Sequence, residues 1–415
     1  MLHLLFLPVV WGHADGQLVG IDVHELSSGQ VGVQTSFGLL WEELDDDPVW
    51  LCHEAITAPD APITPRYAIS ESGTLLGLVS APEQTREEGE SLYRTTDGCD
   101  WSPVAGLTGE TLAEVTFDPT DSMHVLVSTA STEEGATNGL FRSTDGGLSF
   151  VQVLERTERV FGSVQISSAG GLWASAVRYE TGEGWVYTST DGVEWTERSV
   201  PVPIREGSFQ DVDVVAASAV DPQTAWLVVG PYGDDILLRT ADGGETYEEV
   251  FGIAGDILDG AVDADGGVWL AVSGRDFYYA ADGDDFTQVK DATRGMGVQQ
   301  GATATWLAID GTITGHIAQQ SVDGQLQSMM HLSVLQPTAC PADSHTAVYC
   351  EPLWPELAGR LPLLMEEEDT GASEEQAPDT AETEHRDTDT RCGCGGKGAA
   401  AAVLPLFFLG LRRRD

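Results

Sequence analysis

One short stretch decides the fold of this chain: Phe141-Arg-Ser-Thr-Asp145-Gly-Gly-Leu-Ser-Phe150. A strand that ends in apolar residues leads into a turn where the Asp145 carboxylate can accept backbone N–H groups. The glycine after it supplies the positive φ that such a turn needs. Five residues after Asp145, Phe150 can pack over the turn as the next strand begins. The stretch therefore predicts a tight hairpin held by local hydrogen bonds.

The same pattern recurs along the chain. Four further copies read Tyr93-Arg-Thr-Thr-Asp97-Gly-Cys-Asp-Trp101, Tyr187-Thr-Ser-Thr-Asp191-Gly-Val-Glu-Trp195, Leu238-Arg-Thr-Ala-Asp242-Gly-Gly-Glu-Thr-Tyr247 and Tyr279-Ala-Ala-Asp282-Gly-Asp-Asp-Phe286. Degenerate copies lie near Asp45 and at Asp323. The seven aspartates are 40 to 52 residues apart, about 46 on average. A fixed period of this size indicates a repeat architecture.

Each repeat also contains apolar strands upstream of its turn, such as Leu172-Trp-Ala-Ser-Ala-Val177 and Ala225-Trp-Leu-Val-Val229. Hairpin signals such as Asp263-Ala-Asp265-Gly266-Gly267 precede these strands. One period therefore holds about four short strands without helical periodicity, which is the size of a propeller blade. We predict an all-β propeller over residues 15–360 with seven four-stranded blades. Six or eight blades remain open, because the first and last repeats are degenerate.

These repeats resemble those of the Asp-box, or BNR, propellers, a family that includes sialidases, sortilin-like receptors and photosystem assembly factors. The resemblance covers roughly residues 16–335. In that family the boxes lie between the third and fourth strands of a blade and are structural. The resemblance thus implies a folding role, and not a catalytic one, for the box aspartates Asp97, Asp145, Asp191, Asp242, Asp282 and Asp323.

The charge of the chain excludes some classes of partner. Its 415 residues include 20 Lys+Arg and 67 Asp+Glu, a net charge of −47, while 41 % apolar residues are enough for a sizeable core. Between residues 15 and 365 there remain 55 acidic and 14 basic residues, a net charge of −41. Nucleic-acid binding is excluded because it requires basic patches, and docking on anionic lipid is disfavoured.

Residues 1–14 are predicted to be a secretory signal peptide. An apolar run ends at Gly12-His13-Ala14, which fits the small-x-small cleavage rule, so the mature chain would begin at Asp15. The run has no Lys or Arg before it. A buried first strand or a misplaced start codon is the alternative.

The other end of the chain begins with an acidic segment, residues 361–391. Residues 366–390 include eleven acidic residues, one Arg and no large apolar side chain. Such a segment cannot bury enough surface to offset its chain entropy. We expect an extended, self-repelling spacer between the propeller and the C-terminal end.

Residues 392–415 have three parts. Cys392-Gly-Cys394-Gly-Gly-Lys397 is followed by a mostly apolar stretch over 399–411 and then by Arg412, Arg413 and Arg414. The apolar stretch is shorter than the ~20 residues of a spanning helix. This tail resembles the myxobacterial C-terminal sorting signal of the MYXO-CTERM type. The resemblance implies that a sorting protease at the membrane cleaves near Cys392 or Cys394, and that the mature protein is attached to the cell surface or outer membrane.

The four remaining cysteines agree with export, because even numbers of cysteines in exported chains usually form disulfides. Cys340 and Cys350 enclose only nine residues, which predicts a local disulfide between them. Cys52 and Cys99 are 47 residues apart, so that they could bridge neighbouring repeats. Zinc spacing is absent from the sequence.

The connections after the second strand of each repeat should lie on the face opposite the boxes, where propellers usually bind. They are rich in carboxylates, including Glu83, Glu87 and Glu133. Such a face could hold Ca²⁺ through oxygen ligands or meet a basic partner, and it could equally be a solvated rim. We expect a monomeric binding module for a glycan, a protein or a cation, with no required cofactor.

The alternative is a sialidase-like glycoside hydrolase. Such an enzyme needs arginines around the substrate carboxylate and a tyrosine nucleophile. The candidates for these roles are Arg66, Arg178, Tyr179 and Arg275. Pro65-Arg66-Tyr67 departs from the Arg-Ile-Pro motif of sialidases, and we predict that the three arginines do not converge on one pocket.

Overall fold

A computed structural model of the chain describes residues 18–366, except 43–46, 59–60, 62, 88, 179, 202–209, 232, 275–276, 291, 302–303 and 323–324. The strands form seven antiparallel sheets arranged as the blades of a ring. The chain is a seven-bladed β-propeller.

The strands are β1 Gly20–Glu25, β2 Val31–Thr35, β3 Gly38–Glu42 and β4 Val49–Leu51 in blade 1; β5 Arg66–Ile69, β6 Leu75–Leu78, β7 Leu92–Thr95 and β8 Ser102–Pro103 in blade 2; β9 Leu112–Asp118, β10 Asp121–Thr129, β11 Thr137–Ser143 and β12 Val151–Thr157 in blade 3; β13 Val160–Ile166, β14 Leu172–Val177, β15 Gly184–Ser189 and β16 Thr196–Val200 in blade 4; β17 Gln210–Ala217, β18 Ala225–Pro231, β19 Asp235–Thr240 and β20 Glu248–Ile253 in blade 5; β21 Ile257–Val262, β22 Val268–Val272, β23 Phe277–Ala280 and β24 Thr287–Gln288 in blade 6; and β25 Gly295–Gln300, β26 Thr305–Ile309, β27 His316–Val322 and β28 Gln325–His331 in blade 7.

The prediction of seven four-stranded blades is confirmed, and the four antiparallel strands of each blade come from one continuous stretch of sequence. Because the strands of a blade alternate in direction, its first–second and third–fourth turns lie at one end. The second–third turns and the connections between blades lie at the other end. The box turns of blades 2 to 6 are the third–fourth turns.

The core lies between the blades. Trp173, Phe161 and Tyr187 are fully buried, and each hydrophobic cluster joins residues of neighbouring sheets. The box glycines contribute to this packing. Gly147 has a φ of +80°, and a Cβ there would lie 3.0 Å from a methyl carbon of Leu76 in blade 2. The turn therefore needs glycine both for its backbone conformation and for the close approach of the adjacent blade.

A C-terminal segment follows blade 7 and packs on the ring. Strand β29 Gln336–Pro337 pairs in parallel with β4 as a fifth strand of blade 1. Two helices follow, α2 His345–Cys350 and α3 Trp354–Glu366. Earlier in the chain there are a four-residue helix, α1 Gly311–Thr314, and 3-10 turns at His53–Ala55, Pro82–Gln84 and Leu332–Val334. Helix α3 continues past residue 361, so the folded part ends later than the predicted start of the acidic spacer.

The predicted local disulfide is wrong. Cys350 is bonded to Cys52 and Cys340 is bonded to Cys99. Helix α2 takes up the residues before Cys350 and carries that cysteine away from Cys340, toward the end of β4. Cys52 and Cys99 consequently pair with the C-terminal segment and not with each other. Two disulfides are consistent with an exported protein.

The described helices include none that is long and apolar enough to cross a membrane. The predicted signal peptide at residues 1–14 lies outside the described residues. The same holds for most of the acidic spacer and for the sorting signal with Cys392 and Cys394.

Candidate functional site

The box aspartates lie at the end of the ring that carries the third–fourth turns of the blades. In blade 3, Asp145 Oδ1 accepts the backbone N–H groups of Leu148 and Ser149, both at 3.0 Å, and the hydroxyl of Ser143. Desolvation works against ionisation of this carboxyl, but the hydrogen bonds outweigh it and lower the pKa of Asp145 to about 2. Its carboxylate is therefore occupied by its own turn.

The corresponding aspartates of the other blades behave alike. Asp97, Asp191, Asp242 and Asp282 each accept two backbone N–H groups from the residues that follow them. Hydrogen bonds to the carboxylate lower the pKa of each of these four aspartates. Asp323 lies outside the described residues. These contacts stabilise the hairpin that the sequence pattern predicted.

A group of charged side chains lies on the innermost strands of the ring. The first strands of successive blades pack against one another around the central axis. The group, which we call the channel cluster, consists of Asp22, His24, Arg66, Glu114, Asp211, Asp213 and Asp259. All seven residues are partly exposed, so their side chains meet solvent and are not sealed in the core.

Arg66 shows that the cluster spans the axis. Its guanidinium pairs with Glu114 of the next blade, and this contact is the largest cause of a raised pKa of Arg66. Asp213 of blade 5 and Asp259 of blade 6 also raise the pKa of Arg66. Blades 5 and 6 lie across the ring from blade 2, so these charges interact through the central channel.

Blade 1 contributes an ion pair to the cluster. His24 Nε2 lies 3.1 Å from Asp22 Oδ2, and the two side chains are 15 % and 33 % exposed. Burial disfavours a charged imidazole, but the Asp22 and Glu114 carboxylates and a backbone contact with Tyr67 together outweigh burial and raise the pKa of His24. Burial also disfavours a charged Asp22, but His24, the Val23 N–H and Arg66 together outweigh it, so the pKa of Asp22 is lowered.

Blades 5 and 6 contribute three carboxyl groups to the cluster. Burial raises the pKa of Asp211, and so does the neighbouring Asp213, with which Asp211 shares a hydrogen bond. Burial likewise raises the pKa of Asp213 and of Asp259. Close carboxyl groups favour a shared proton because two adjacent negative charges repel.

Two of these carboxyl groups also connect adjacent blades. Asp213 Oδ1 accepts the backbone N–H of Ser163 in blade 4 at 3.1 Å, next to a bulge of β13. Asp259 Oδ2 accepts the backbone N–H of Val298 in blade 7 at 2.9 Å. These bonds satisfy N–H groups that the bulged inner strands leave unpaired. Part of the cluster therefore stabilises the ring.

Arg178 lies elsewhere, on the loop between the second and third strands of blade 4. Its guanidinium pairs with Glu183 at 2.7 Å and lies 5.4 Å from the ring centroid of Trp185. The Arg159 guanidinium lies 3.8 Å from the centroid of the same indole ring, and it pairs with the Glu197 carboxylate at 2.8 Å. The guanidinium groups here are already paired with carboxylates.

The candidate sialidase residues are thus not brought together where the structure describes them. Arg66 and Arg178 belong to blades 2 and 4, and share no described contact partner. Tyr179 and Arg275 lie outside the described residues.

The sequence patterns did not predict the channel cluster, apart from Arg66 as a candidate residue. Its members stand at alternate positions of first strands, as in Ile21-Asp22-Val23-His24 and Gln210-Asp211-Val212-Asp213. Polar residues that alternate with apolar ones in the first strand of a blade, which is otherwise buried, are the signal that could have found them. Within the described residues, no three His, Cys, Asp or Glu side chains are arranged to hold a metal ion.

Comparison with known proteins shows the fold alone. No protein-family profile and no curated protein matches the sequence. An ancestral GH74 enzyme has a similar structure, with a TM-score of 0.55 and 12 % identity over 78 % of this chain. This chain spans about half of that enzyme, 48 % of its length.

Other similar structures are more distant. YCF48 from Cyanidioschyzon merolae has a TM-score of 0.46 and 16 % identity, with 71 % of this chain and 94 % of that one covered. The β-propeller domain of the Trilobed protease from Pyrococcus furiosus has a TM-score of 0.49 and 12 % identity, with 75 % and 97 % covered. At identities this low, no activity carries over to this chain.

Proposed function

We propose that this protein is an exported, surface-anchored propeller that binds a ligand and does not convert it. Among glycan, protein and cation ligands, we favour a basic protein segment whose ammonium or guanidinium group enters the channel cluster. The observation that carries this proposal is the charge balance of the cluster, five carboxyl groups against Arg66 and His24.

The raised pKa values of Asp211, Asp213 and Asp259 support a cationic ligand. Burial destabilises the negative charge of all three groups, and neighbouring carboxylates add to this for Asp211 and Asp259. A cation placed among them would remove that penalty and lower their pKa values. Binding and proton release are then linked, so the affinity for a cation should fall as the pH is lowered.

Hexalysine binding to the full mature chain, measured by calorimetry at two salt concentrations, tests the proposal. We expect binding that weakens with salt. The double variant Asp211→Asn with Asp213→Asn should weaken it by about tenfold or more, since about 1.4 kcal/mol corresponds to a factor of ten. Asparagine can still accept the Ser163 N–H, so the contact between blades is retained.

The matched control is Glu248→Gln with Glu249→Gln. These exposed residues lie on the outermost strand of the same blade, and the same number of carboxyl groups is replaced. An equal loss of affinity in both double variants would contradict the proposal, because the overall negative charge of the protein, and not the channel cluster, would then attract hexalysine. Absence of hexalysine binding would refute the proposed ligand class. Calcium is titrated in parallel. If the carboxylates of the channel cluster bind Ca²⁺ instead, Ca²⁺ should compete with hexalysine, and the Asp211→Asn with Asp213→Asn variant should bind Ca²⁺ more weakly.

Export and anchoring are proposed from the two ends of the sequence. The mature protein recovered from cell surfaces should begin near Asp15 and lack Arg412, Arg413 and Arg414. Mass spectrometry of its terminal peptides measures this directly. An intact C-terminus on exported protein would contradict cleavage by a sorting protease.

A further inference from the structure

The ring has a seam between blades 7 and 1. The four antiparallel strands of each blade come from one continuous stretch of chain, so blades 7 and 1 exchange none of these strands. Strand β1 packs on β25 and β26 there, and residue 19 forms a single bridge to Asp310. The backbones are close: a Cβ on Gly20 would lie 2.7 Å from the Ile317 carbonyl oxygen. Within the described residues, the sheets of these two blades therefore meet through packing and isolated hydrogen bonds.

Residues 336–361, which we call the latch, cross this seam. They leave blade 7 after Leu335 and join the outer edge of blade 1, where Gln336 pairs with Val49 and Pro337 with Trp50. The Thr338 hydroxyl then donates to the Trp50 carbonyl oxygen at 2.5 Å. The latch therefore attaches the end of the last blade to the last strand of the first blade.

Helix α3 of the latch packs into a cluster that both blades share. Leu357 and Leu361 are 5 % and 6 % exposed, in a core that includes Leu40 of blade 1 and Ile317 of blade 7. Trp354 lies 5.9 Å from Trp50 between ring centroids. Apolar burial of this kind contributes to holding the two blades together.

Helix α2 extends the latch to blade 2. The Thr346 N–H donates to the Cys99 carbonyl oxygen at 3.0 Å, and the Thr346 hydroxyl donates to the Gly98 carbonyl oxygen at 2.5 Å. The Arg86 guanidinium stacks on the Tyr349 ring at 3.2 Å. The latch thus contacts both the box turn and the opposite loop of this blade.

The two disulfides make these attachments covalent. Cys52 to Cys350 joins the latch to blade 1 over 298 residues of sequence, and Cys99 to Cys340 joins it to blade 2 over 241 residues. The pairs are nested, so blades 2 to 7 lie inside one covalently closed loop. Closing a loop of this length mainly restricts the open and unfolded states.

We propose that the latch holds the ring shut at the seam between blades 7 and 1, and that oxidation of its cysteines makes this closure covalent. Either disulfide alone keeps the latch attached on the far side of the seam, so the two are redundant. Reduction of both leaves the seam dependent on packing and hydrogen bonds. The inference concerns ring closure and does not rest on the proposed ligand.

Hydrogen exchange measured by mass spectrometry tests this closure. The samples are the oxidised full chain, the same folded chain after mild reduction, the two pair variants Cys52→Ser with Cys350→Ser and Cys99→Ser with Cys340→Ser, and the variant lacking all four cysteines. We expect amides of β1, β25 and β26 to exchange about tenfold faster or more in the reduced chain and in the four-cysteine variant. Each pair variant should stay close to the oxidised chain.

Strands β14 and β15 provide the internal control, because blade 4 is opposite the seam. Unchanged protection of β1, β25 and β26 after reduction would overturn the proposal. Equal loss of protection in blade 4 would also overturn it, since the disulfides would then stabilise the whole fold and not the seam. If the four-cysteine variant fails to fold, the chain reduced after folding gives the same comparison.

Discussion

The sulfur of Cys340 is bonded to Cys99 in the box turn of blade 2, and their Cα atoms lie 5.5 Å apart across 241 residues of sequence. Cys350, only ten residues beyond Cys340, is bonded instead to Cys52 at the end of β4. Helix α2 separates the two latch cysteines and directs each toward a different blade. The latch is therefore tied to two blades and not to itself.

Proteolysis of the protein without reduction should yield linked peptides joining Cys52 to Cys350 and Cys99 to Cys340. Mass spectrometry identifies these pairs. A peptide with an internal bond between Cys340 and Cys350 would contradict the structure. Removal of both native pairs should lower the free energy of unfolding by about 2–5 kcal/mol, because the long loops then close without a covalent bond.

Asp235→Asn should stabilise the protein at alkaline pH. The buried Asp235 carboxyl accepts the Ile257 N–H at 2.7 Å, and burial raises its pKa to about 7. Because the folded pKa exceeds the unfolded one, the contribution of this group to stability is complete below about pH 4 and is lost as the pH rises through 7. Asparagine keeps the hydrogen bond without the charge.

Denaturant unfolding at pH 5 and pH 8.5 measures this effect. We expect a gain of about 1–3 kcal/mol at pH 8.5 for Asp235→Asn and little difference at pH 5. The exposed Glu248→Gln, on the outermost strand of the same blade, is the control for the loss of one carboxylate at the surface. Equal stability of Asp235→Asn and the parent at pH 8.5 would show that Asp235 ionises without cost.

Asp145→Asn should make the free energy of unfolding less dependent on pH in the acid range. The pKa of Asp145 is lowered to about 2, so its contribution is present above about pH 4 and is lost as the pH falls toward 2. We expect the variant to be less stable than the parent at pH 7 by about 1 kcal/mol, and the difference to shrink at pH 2. Thermal unfolding at both pH values checks this, with exposed Glu134→Gln of the same blade as the control.

Arg66→Gln should destabilise the ring by leaving Glu114 without its cation. Both side chains are partly exposed, 37 % and 26 %, so we expect a loss of about 1–2 kcal/mol and not the larger cost of a sealed pair. The double variant Arg66→Gln with Glu114→Gln should recover part of the loss. A double variant with the summed loss of the two single variants would show that the residues do not interact.

Some of the fold was predictable because its signals are local. A box such as Asp145 to Phe150 forms its turn from hydrogen bonds within about ten residues, and such a turn is present in each of blades 2 to 6. The spacing of these turns therefore predicts the number of blades, and the alternation of strands and turns predicts their order. The acidic composition by itself likewise predicts that nucleic acid is not a partner.

What only the tertiary structure decided depends on residues that are far apart in sequence. The disulfide partners are set by where helix α2 carries Cys350, which the spacing of Cys340 and Cys350 does not reveal. The channel cluster arises only when seven first strands meet around one axis and bring Arg66 near Asp213 and Asp259. Short-range turn chemistry is written in consecutive residues, whereas closure of a ring is a property of contacts between its two ends and across its centre.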